Sequence, residues 1–243
     1  MSTRIYQAIP LSVGSVIQLD ESATHHLARV LRASVNDAVI IFNGQGGEYS
    51  GVITRIDKKS VTVSIHEHAT RDAESPLNIW LAQGISRGEK MDYTIQKAVE
   101  LGVKKIIPLF TERCNVKLDN ERSEKRLLHW QSIVVSACEQ SGRNRIPEIL
   151  QPQSLDAWLE TVQADYCFVL SPHTDQKLKT LAVPQQASVV LLIGPEGGLS
   201  EREIERARLR NFLPLNLGPR ILRTETAAVA AITSLQCCFG DMI

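Results

Sequence analysis

The chain has no net charge: 27 basic residues balance 27 acidic ones over 243 positions. This argues against a protein that holds polyanions through a general basic field, and confines any nucleic-acid contact to local clusters. No run of about 18 apolar residues exists, so neither a membrane span nor a membrane partner is expected. The opening segment MSTRIYQAIP lacks the apolar core of a signal peptide, so export is not expected. Cysteine is sparse: Cys114, Cys138 and Cys167 are scattered, and Cys237 and Cys238 are adjacent. That usage gives neither a disulfide framework nor metal-ligand spacing, and it fits a reducing cytoplasm. His25 and His26 are neighbours that would face different ways on a helix, and they read as structural. No bound metal is expected. Internal repeats and low-complexity tracts are absent as well.

What is present is an ordinary globular composition, 43% hydrophobic and 22% charged, long enough for one large or two modest domains. The charge is unevenly spread. Residues 1–76 hold 7 basic and 8 acidic side chains, residues 77–147 hold 12 and 8, and residues 148–243 hold 8 and 11. The excess of cations therefore lies in the middle of the chain.

The first 70 residues carry short β-branched runs at Val16–Leu19, Val39–Phe42, Gly51–Ile56 and Val61–His66, with a glycine-rich turn at 43–47. One helix interrupts them over Ser22–Arg32, placing Ala23, Leu27, Val30 and Leu31 on one face. This predicts a small β-barrel with a helix. The polar stretch Arg71–Pro76 reads as a linker, so a domain of residues 1–72 is expected before one of residues 73–243.

After the linker, a strand at Leu77–Gln83, a helix through Met91, Ile95, Ala98 and Val99 ending at Gly102, and a strand at Val103–Phe110 form a β-α-β unit. An α/β domain with a parallel sheet follows. Pro108 marks the second of these strands as an edge or a bulge. A long helix from Asn120 to Gln140 turns Leu127, Trp130, Val134, Ala137 and Cys138 inward. Further strands are expected at Tyr166–Ser171, Ser188–Ile193 and Leu213–Leu217, and a last helix at Glu225–Phe239.

Two segments carry the chemistry. In the first, the strand Leu191-Leu192-Ile193 runs into Gly194-Pro195-Glu196-Gly197-Gly198 and then into a helix. Ser200 with Glu203 forms a capping box, and Leu199 with Ile204 a hydrophobic staple. Ligands of open parallel sheets bind at the carboxyl ends of strands, where this loop would sit. A phosphate is disfavoured, because the P-loop pattern is missing and Glu196 would put a carboxylate in the cradle. A ligand of little anionic character, such as an adenosine bearing a sulfonium, fits better. Gly197 and Gly198 are the positions expected to let it approach the backbone. The competing reading is a tight strand-to-helix turn with no ligand.

In the second segment, Leu217 and Gly218-Pro219 end a strand, and Arg220-Ile221-Leu222-Arg223-Thr224-Glu225-Thr226-Ala227-Ala228 leads into a helix of small residues. Thr224 is the expected N-cap. Arg220, Arg223 and Glu225 could form an ion-pair network or act in catalysis. Two glycine loops within so short a stretch are expected side by side at one sheet edge, lining one pocket.

These two loops together closely resemble the signature of the RsmE family, the bacterial 16S ribosomal RNA uridine-N3 methyltransferases. Arg4-Ile5-Tyr6, the segment 26–32 (HLARVLR), 86–91 (SRGEKM), 95–102 (IQKAVELG), 112–114 (ERC) and 139–145 (EQSGRNR) look like family segments too. The resemblance covers nearly the whole chain; the stretch 146–186 is its least family-like part. It implies a PUA-like RNA-binding barrel joined to a SPOUT domain with a deep trefoil knot. It further implies a homodimer, and S-adenosyl-L-methionine bound in the knot. The cofactor would contact the loops around Leu170 and Ser171, Gly194 to Gly198, and Leu217, Gly218, Ile221 and Leu222, with Thr224, Thr226 and Ala227 beyond. The substrate would be 16S rRNA of the small ribosomal subunit.

Within that resemblance the basic clusters acquire a reading as RNA contacts. Arg29 and Arg32 lie one turn apart on the barrel helix, Arg87 and Lys90 flank Gly88, and Arg143 and Arg145 follow the long helix; Arg4 joins them. Uridine N3 must lose a proton before it attacks a methyl group. Arg220 and Arg223 are the candidates to stabilise the resulting anion or to fix the target phosphate. Glu225 is a candidate proton acceptor, with an ion-pair or capping role left open, and these loops offer no histidine base. Two rivals remain. One is an enzyme of the same class that methylates ribose 2′-oxygen, and the other is a non-catalytic RNA-binding assembly factor.

Overall fold

The computed structural model describes residues 3–116, 119–171, 174, 178 and 181–242. Two compact units emerge: the chain up to Glu74 together with Cys138–Ile146, and Ser75–Ala137 together with Pro147 onward.

The first unit is a five-stranded sheet built from β1 (Thr3–Tyr6), β2 (Val16–Gln18), β3 (Ala38–Phe42), β4 (Glu48–Ile56) and β5 (Val61–Ala69), in the order β1-β3-β4-β5-β2. β1 runs parallel to β3, and the other pairs are antiparallel. Alternation decides the faces: Val61, Val63 and Ile65 point into a core shared with Ile5, Ile41 and Leu27. The β4–β5 register shifts at Ser50/Gly51 and again at Ile53/Arg55, and such bulges curl a sheet. A Cβ on Gly51 would lie 2.6 Å from Val63 Cγ1, so glycine is required at the first of them. Among the described residues no ladder closes β1 onto β2. Their ends are joined by side chains instead, with Gln7 Nε2 donating to Asp20 Oδ2 at 3.0 Å and Asp20 N donating to Gln7 Oε1 at 3.1 Å.

Asp20 also caps α1 (Glu21–His25) by accepting from Ala23 N at 2.8 Å. The helix continues as a π turn over His26–Val30 and stops there. Arg32 has φ of 52°, outside any helix, so the pairing of Arg29 and Arg32 on one helical face is not realised.

The segment after the long helix is tied into the first unit by its charged side chains. Arg143 is 3% exposed and makes a two-point pair with Glu74. Arg4 bonds Glu48 and Asn144, Asn144 Nδ2 donates to Arg71 O at 2.9 Å, and Arg145 Nε donates to Asp72 Oδ2 at 3.1 Å. These bonds hold 142–145 in the first unit, with Arg143 buried and the Arg4 side chain 11% exposed. Arg143→Lys keeps the charge but loses the fork that matches a carboxylate. It is expected to cost about 1.5 kcal/mol, the low end for a bond to a charged group. Chemical denaturation followed by tryptophan-independent circular dichroism checks this.

The second unit holds β6 (Asn78–Gly84), α2 (Glu89–Glu100), β7 (Lys105–Phe110), α3 (Asn120–Ser141, its last turn in the first unit), β8 (Glu148–Ile149), β9 (Gln153–Ser154), α4 (Leu155–Leu159), β10 (Tyr166–Leu170), β11 (Ser188–Ile193), α5 (Glu201–Leu209), β12 (Leu213–Leu215) and α6 (Thr224–Phe239). Every strand pair is parallel, in the order β12-β10-β11-β6-β7-β8, with β9 also on β7. The central strands are apolar on both faces, as a sheet covered by helices requires. Gly102 ends α2 with φ of 86°, where a residue without a Cβ is favoured.

Pro108 sits inside the sheet, yet the ladder yields to it. β8 pairs β7 only as far as Ile106, and β9 resumes at Leu109. The carbonyls of Lys104 and Ile106 face that side, accepting from Glu148 N and Leu150 N. By alternation the missing N–H of Pro108 would face it too.

Candidate functional site

A cleft of about 600 Å³ opens at the carboxyl ends of β10, β11 and β12, within the range of small-molecule sites. Leu170 and Ser171 end β10 beside it. Gly194, Pro195, Glu196, Gly197 and Gly198 follow β11. Leu217, Gly218, Arg220, Ile221, Leu222, Arg223, Thr224, Glu225 and Ala227 follow β12. The two glycine loops do meet in one pocket, but not from neighbouring strands, because β10 lies between β11 and β12. Thr226 is exposed on α6 and is not among the cleft's lining.

The first loop is fixed from several sides. Gly198 N donates to Pro195 O at 2.8 Å, closing a turn that Gly198 leaves with φ of 69°. The capping box forms as expected: Ser200 N donates to Glu203 Oε2 at 2.8 Å and Glu203 N to Ser200 Oγ at 3.1 Å. Glu203, only 3% exposed, reaches further and takes Glu112 N on Oε1 at 2.7 Å. Glu196 is engaged at the cleft wall, accepting from Arg87 N at 3.1 Å and pairing with Lys90 at 3.4 Å. Burial pushes its carboxyl up, but backbone N–H groups and Lys90 outweigh that and hold it below the usual value.

The backbone is crowded at Gly194 and Gly84. A Cβ on Gly194 would lie 2.7 Å from both Gly198 C and Leu199 N, and one on Gly84 would lie 2.6 Å from Pro195 N. A Cβ on Gly197 would face Arg113 Cβ at 3.0 Å, whereas one on Gly198 or Gly218 would meet nothing within 4 Å. The approach expected of Gly197 and Gly198 thus divides: Gly194 permits the fold of the loop, and Gly198 and Gly218 leave room beside it.

The second loop bends through Asn216, whose Oδ1 accepts from Gly218 N at 2.6 Å; Gly218 has φ of 121°. Thr224 is not the N-cap. Arg223 holds that position without a side-chain cap bond, and Thr224 is the first helical residue. Its hydroxyl instead donates to Gly194 O at 2.6 Å and accepts from Gln83 Nε2 at 2.9 Å. Gln83, fully buried, also reaches Gly84 O at 3.0 Å. The start of α6, the end of β11 and the end of β6 are tied at one point. Thr224→Val keeps the shape and removes both bonds, leaving buried partners unpaired. It is expected to cost about 1–3 kcal/mol in unfolding free energy and to weaken ligand binding in the cleft. Denaturant titration and calorimetry read the two effects separately.

No ion pair joins Arg220, Arg223 and Glu225 among the described residues. Both arginines are exposed, and Glu225 Oε2 is buried without a hydrogen-bond partner. Ile221 is 88% exposed although it lines the cleft. A buried lone acceptor, an uncovered apolar side chain and open space beside two glycines suit a ligand with both apolar and polar faces. A nucleoside with an aliphatic arm has that character, so the residues fit S-adenosylmethionine.

Of the remaining expected RNA contacts, Arg29, Arg32 and Arg87 are exposed, and Lys90 lies on the cleft wall. Arg113 also lines the cleft, and sequence reasoning placed it only in a family-like segment, without a site role. It follows β7 directly, and the rule that parallel sheets bind at their carboxyl ends would have found it. Gln83, Glu203 and Asn216 gave no comparable signal, since their partners are set by the fold.

Residues 73–236 match the model of a family described as an RNA methyltransferase domain, and residues 19–65 match one described as an RNA methyltransferase PUA domain. A relative from Buchnera aphidicola subsp. Schizaphis graminum, called ribosomal RNA small subunit methyltransferase E, is 43% identical over 98% of this chain and 97% of its own. The protein of that name from Bacillus subtilis is 32% identical, over 87% of this chain and 86% of its own. Among solved structures, a Legionella pneumophila protein with bound S-adenosylmethionine has a TM-score of 0.97 at 43% identity, covering 99% of both chains. The ribosomal RNA small subunit methyltransferase E of Neisseria gonorrhoeae, also bound to S-adenosylmethionine, has a TM-score of 0.93 at 39% identity, covering 100% of both.

Proposed function

The chain belongs to the ribosomal RNA small subunit methyltransferase E family, and from that premise we propose that this S-adenosylmethionine-dependent rRNA methyltransferase acts at N3 of a specific uridine in 16S rRNA. The observation that carries the reading is one cleft at the carboxyl ends of β10, β11 and β12, whose wall holds two arginines without a carboxylate partner and one carboxylate oxygen without a hydrogen-bond partner among the described residues. Bound S-adenosylmethionine supplies an electrophilic methyl group on a sulfonium. The loops of Gly194–Gly198 and Leu217–Leu222 hold it, with Leu170, Ser171 and Ala227 alongside.

The chain's own work is positioning and electrostatics. Uridine N3 carries a proton and becomes nucleophilic as that proton leaves. Arg220 and Arg223, free of carboxylate partners among the described residues, stabilise the negative charge that develops on the base oxygens. Glu225 accepts the proton, directly or through water, at the buried oxygen that no group among the described residues satisfies.

The finer architecture belongs to the same reading. The PUA-like first unit grips RNA, with Arg29 and Arg32 on its exposed turn and Arg87 at the edge of the second unit. The second unit carries a trefoil knot. Its support is the path of the chain: β12 lies beyond β10, yet Thr224 returns to bond the end of β11. The working enzyme is a cytoplasmic homodimer, joined along the half-exposed flank of α6 at Val229, Ala230 and Thr233. Among the described residues no helix is long and apolar enough to cross a membrane.

Small ribosomal subunits lacking the modification, incubated with the protein and labelled S-adenosylmethionine, test the proposal. The label is expected in 3-methyluridine. Label in a 2′-O-methylated nucleoside would favour the ribose-methylating alternative, and none would leave only the binding role.

A further inference from the structure

Arg113 is an exposed guanidinium on the wall of the cleft, and its backbone is held from both sides. Glu112 N donates to the buried Glu203 at 2.7 Å, and Cys114 Sγ lies 3.4 Å from Ile85 O. The side chain packs against the glycine loop, donating from Nη1 to Gly197 O at 3.1 Å. It has no carboxylate partner among the described residues. The nearby acids are engaged elsewhere, Glu112 with Arg202 at 3.6 Å and Glu196 with Lys90 at 3.4 Å. A guanidinium has five N–H donors in a planar fork, and one bond to a main-chain carbonyl leaves most of them unused. A positioned cation with a free fork suits a phosphate oxygen pair.

We propose that Arg113 anchors a phosphodiester of the RNA substrate at the rim of the cleft, held in place for that task by the Gly197 carbonyl. The proposal rests on the reading that the cleft receives a base of RNA. A nucleotide turned out of a folded RNA brings its flanking phosphates to the rim of the pocket it enters. Arg220 and Arg223 are assigned to the base, and Lys90 is neutralised by Glu196, which leaves Arg113 as the cation for the backbone. Its bond to Gly197 makes it a positioning residue that fixes the substrate strand relative to the loop that holds the methyl donor.

Two variants separate this from a role as a simple strut. Arg113→Gln keeps a donor for Gly197 O and loses the charge; Arg113→Lys keeps the charge. Binding of each to small ribosomal subunits would be measured at several salt concentrations, and S-adenosylmethionine binding by calorimetry. Arg113→Gln is expected to bind subunits about tenfold more weakly, with S-adenosylmethionine affinity kept. The slope of log affinity against log salt should become shallower by about 0.7–0.9, the share of one phosphate contact. Arg113→Lys should keep the slope of the parent. An Arg113→Gln protein with the parent's slope overturns the proposal, whether or not its S-adenosylmethionine affinity falls. A parent protein that transfers no methyl group would overturn the functional reading beneath it, and that result is obtained before any variant is made.

Discussion

Gly194→Ala is expected to weaken S-adenosylmethionine binding by about a hundredfold or more while the protein remains folded. The added Cβ would stand 2.7 Å from Gly198 C and Leu199 N, and both are backbone atoms that no rotamer change can move. Relief requires the Gly194–Gly198 turn to open. That movement also displaces the carbonyl held by Thr224 at 2.6 Å and by Gln83 at 3.3 Å. Overpacking of this kind costs roughly 1–3 kcal/mol, and the upper end corresponds to about a hundredfold in affinity. Gly218→Ala provides the contrast. Its Cβ meets nothing within 4 Å, so its penalty comes from φ of 121° and from intrusion into the cleft rather than from collapse of the first loop. Calorimetric titration of both variants, with circular dichroism to confirm folding, checks the order. Binding by Gly194→Ala at the strength of the parent would show that this loop does not hold the cofactor.

The second large effect concerns the chemical step. Arg223→Ala or Arg220→Ala is expected to lower the single-turnover rate by about a hundredfold with cofactor bound, the scale for losing one contact to developing charge. Product release is excluded in such a measurement, so the change belongs to the transfer itself. Neither arginine has a carboxylate partner among the described residues, so their removal breaks no ion pair described there, and thermal stability should be almost unchanged. The parent's rate should rise with pH until the base or its proton acceptor is ionised. A variant that loses stability but keeps its rate per folded molecule would assign the arginine to structure instead.

How much of this was legible in the sequence depended on whether the cause was local. Ser200 and Glu203 are three residues apart and announced their capping box; Gly102 announced the end of α2; Ser188–Ile193 read as a buried strand because it is apolar without interruption. Wherever a partner lies far along the chain, residue type alone did not reveal it. Arg143 read as a cation for RNA, and nothing near it in sequence reveals its partner Glu74, 69 positions away. Thr224 looked like a cap, and it is a bridge to Gly194 and Gln83, which lie 30 and 141 positions distant. The loops after β11 and β12 were rightly brought to one pocket, but the interposed β10 could not be read from their spacing. Gln83 sat unnoticed within a strand, because its amide matters only once the ends of β6 and β11 meet the start of α6. Residue by residue, the resemblance located the cleft well. It said less about the arginines, because it treated exposed Arg29 and ion-paired Arg4 alike.

The most direct measurement is nucleoside mass spectrometry of 16S rRNA from a strain in which this gene is deleted, with and without the gene restored. The account predicts that one 3-methyluridine disappears on deletion and returns with the intact gene, and that it fails to return with Gly194→Ala. Unchanged 3-methyluridine in the deleted strain, or loss of a ribose-methylated nucleotide in its place, would contradict it.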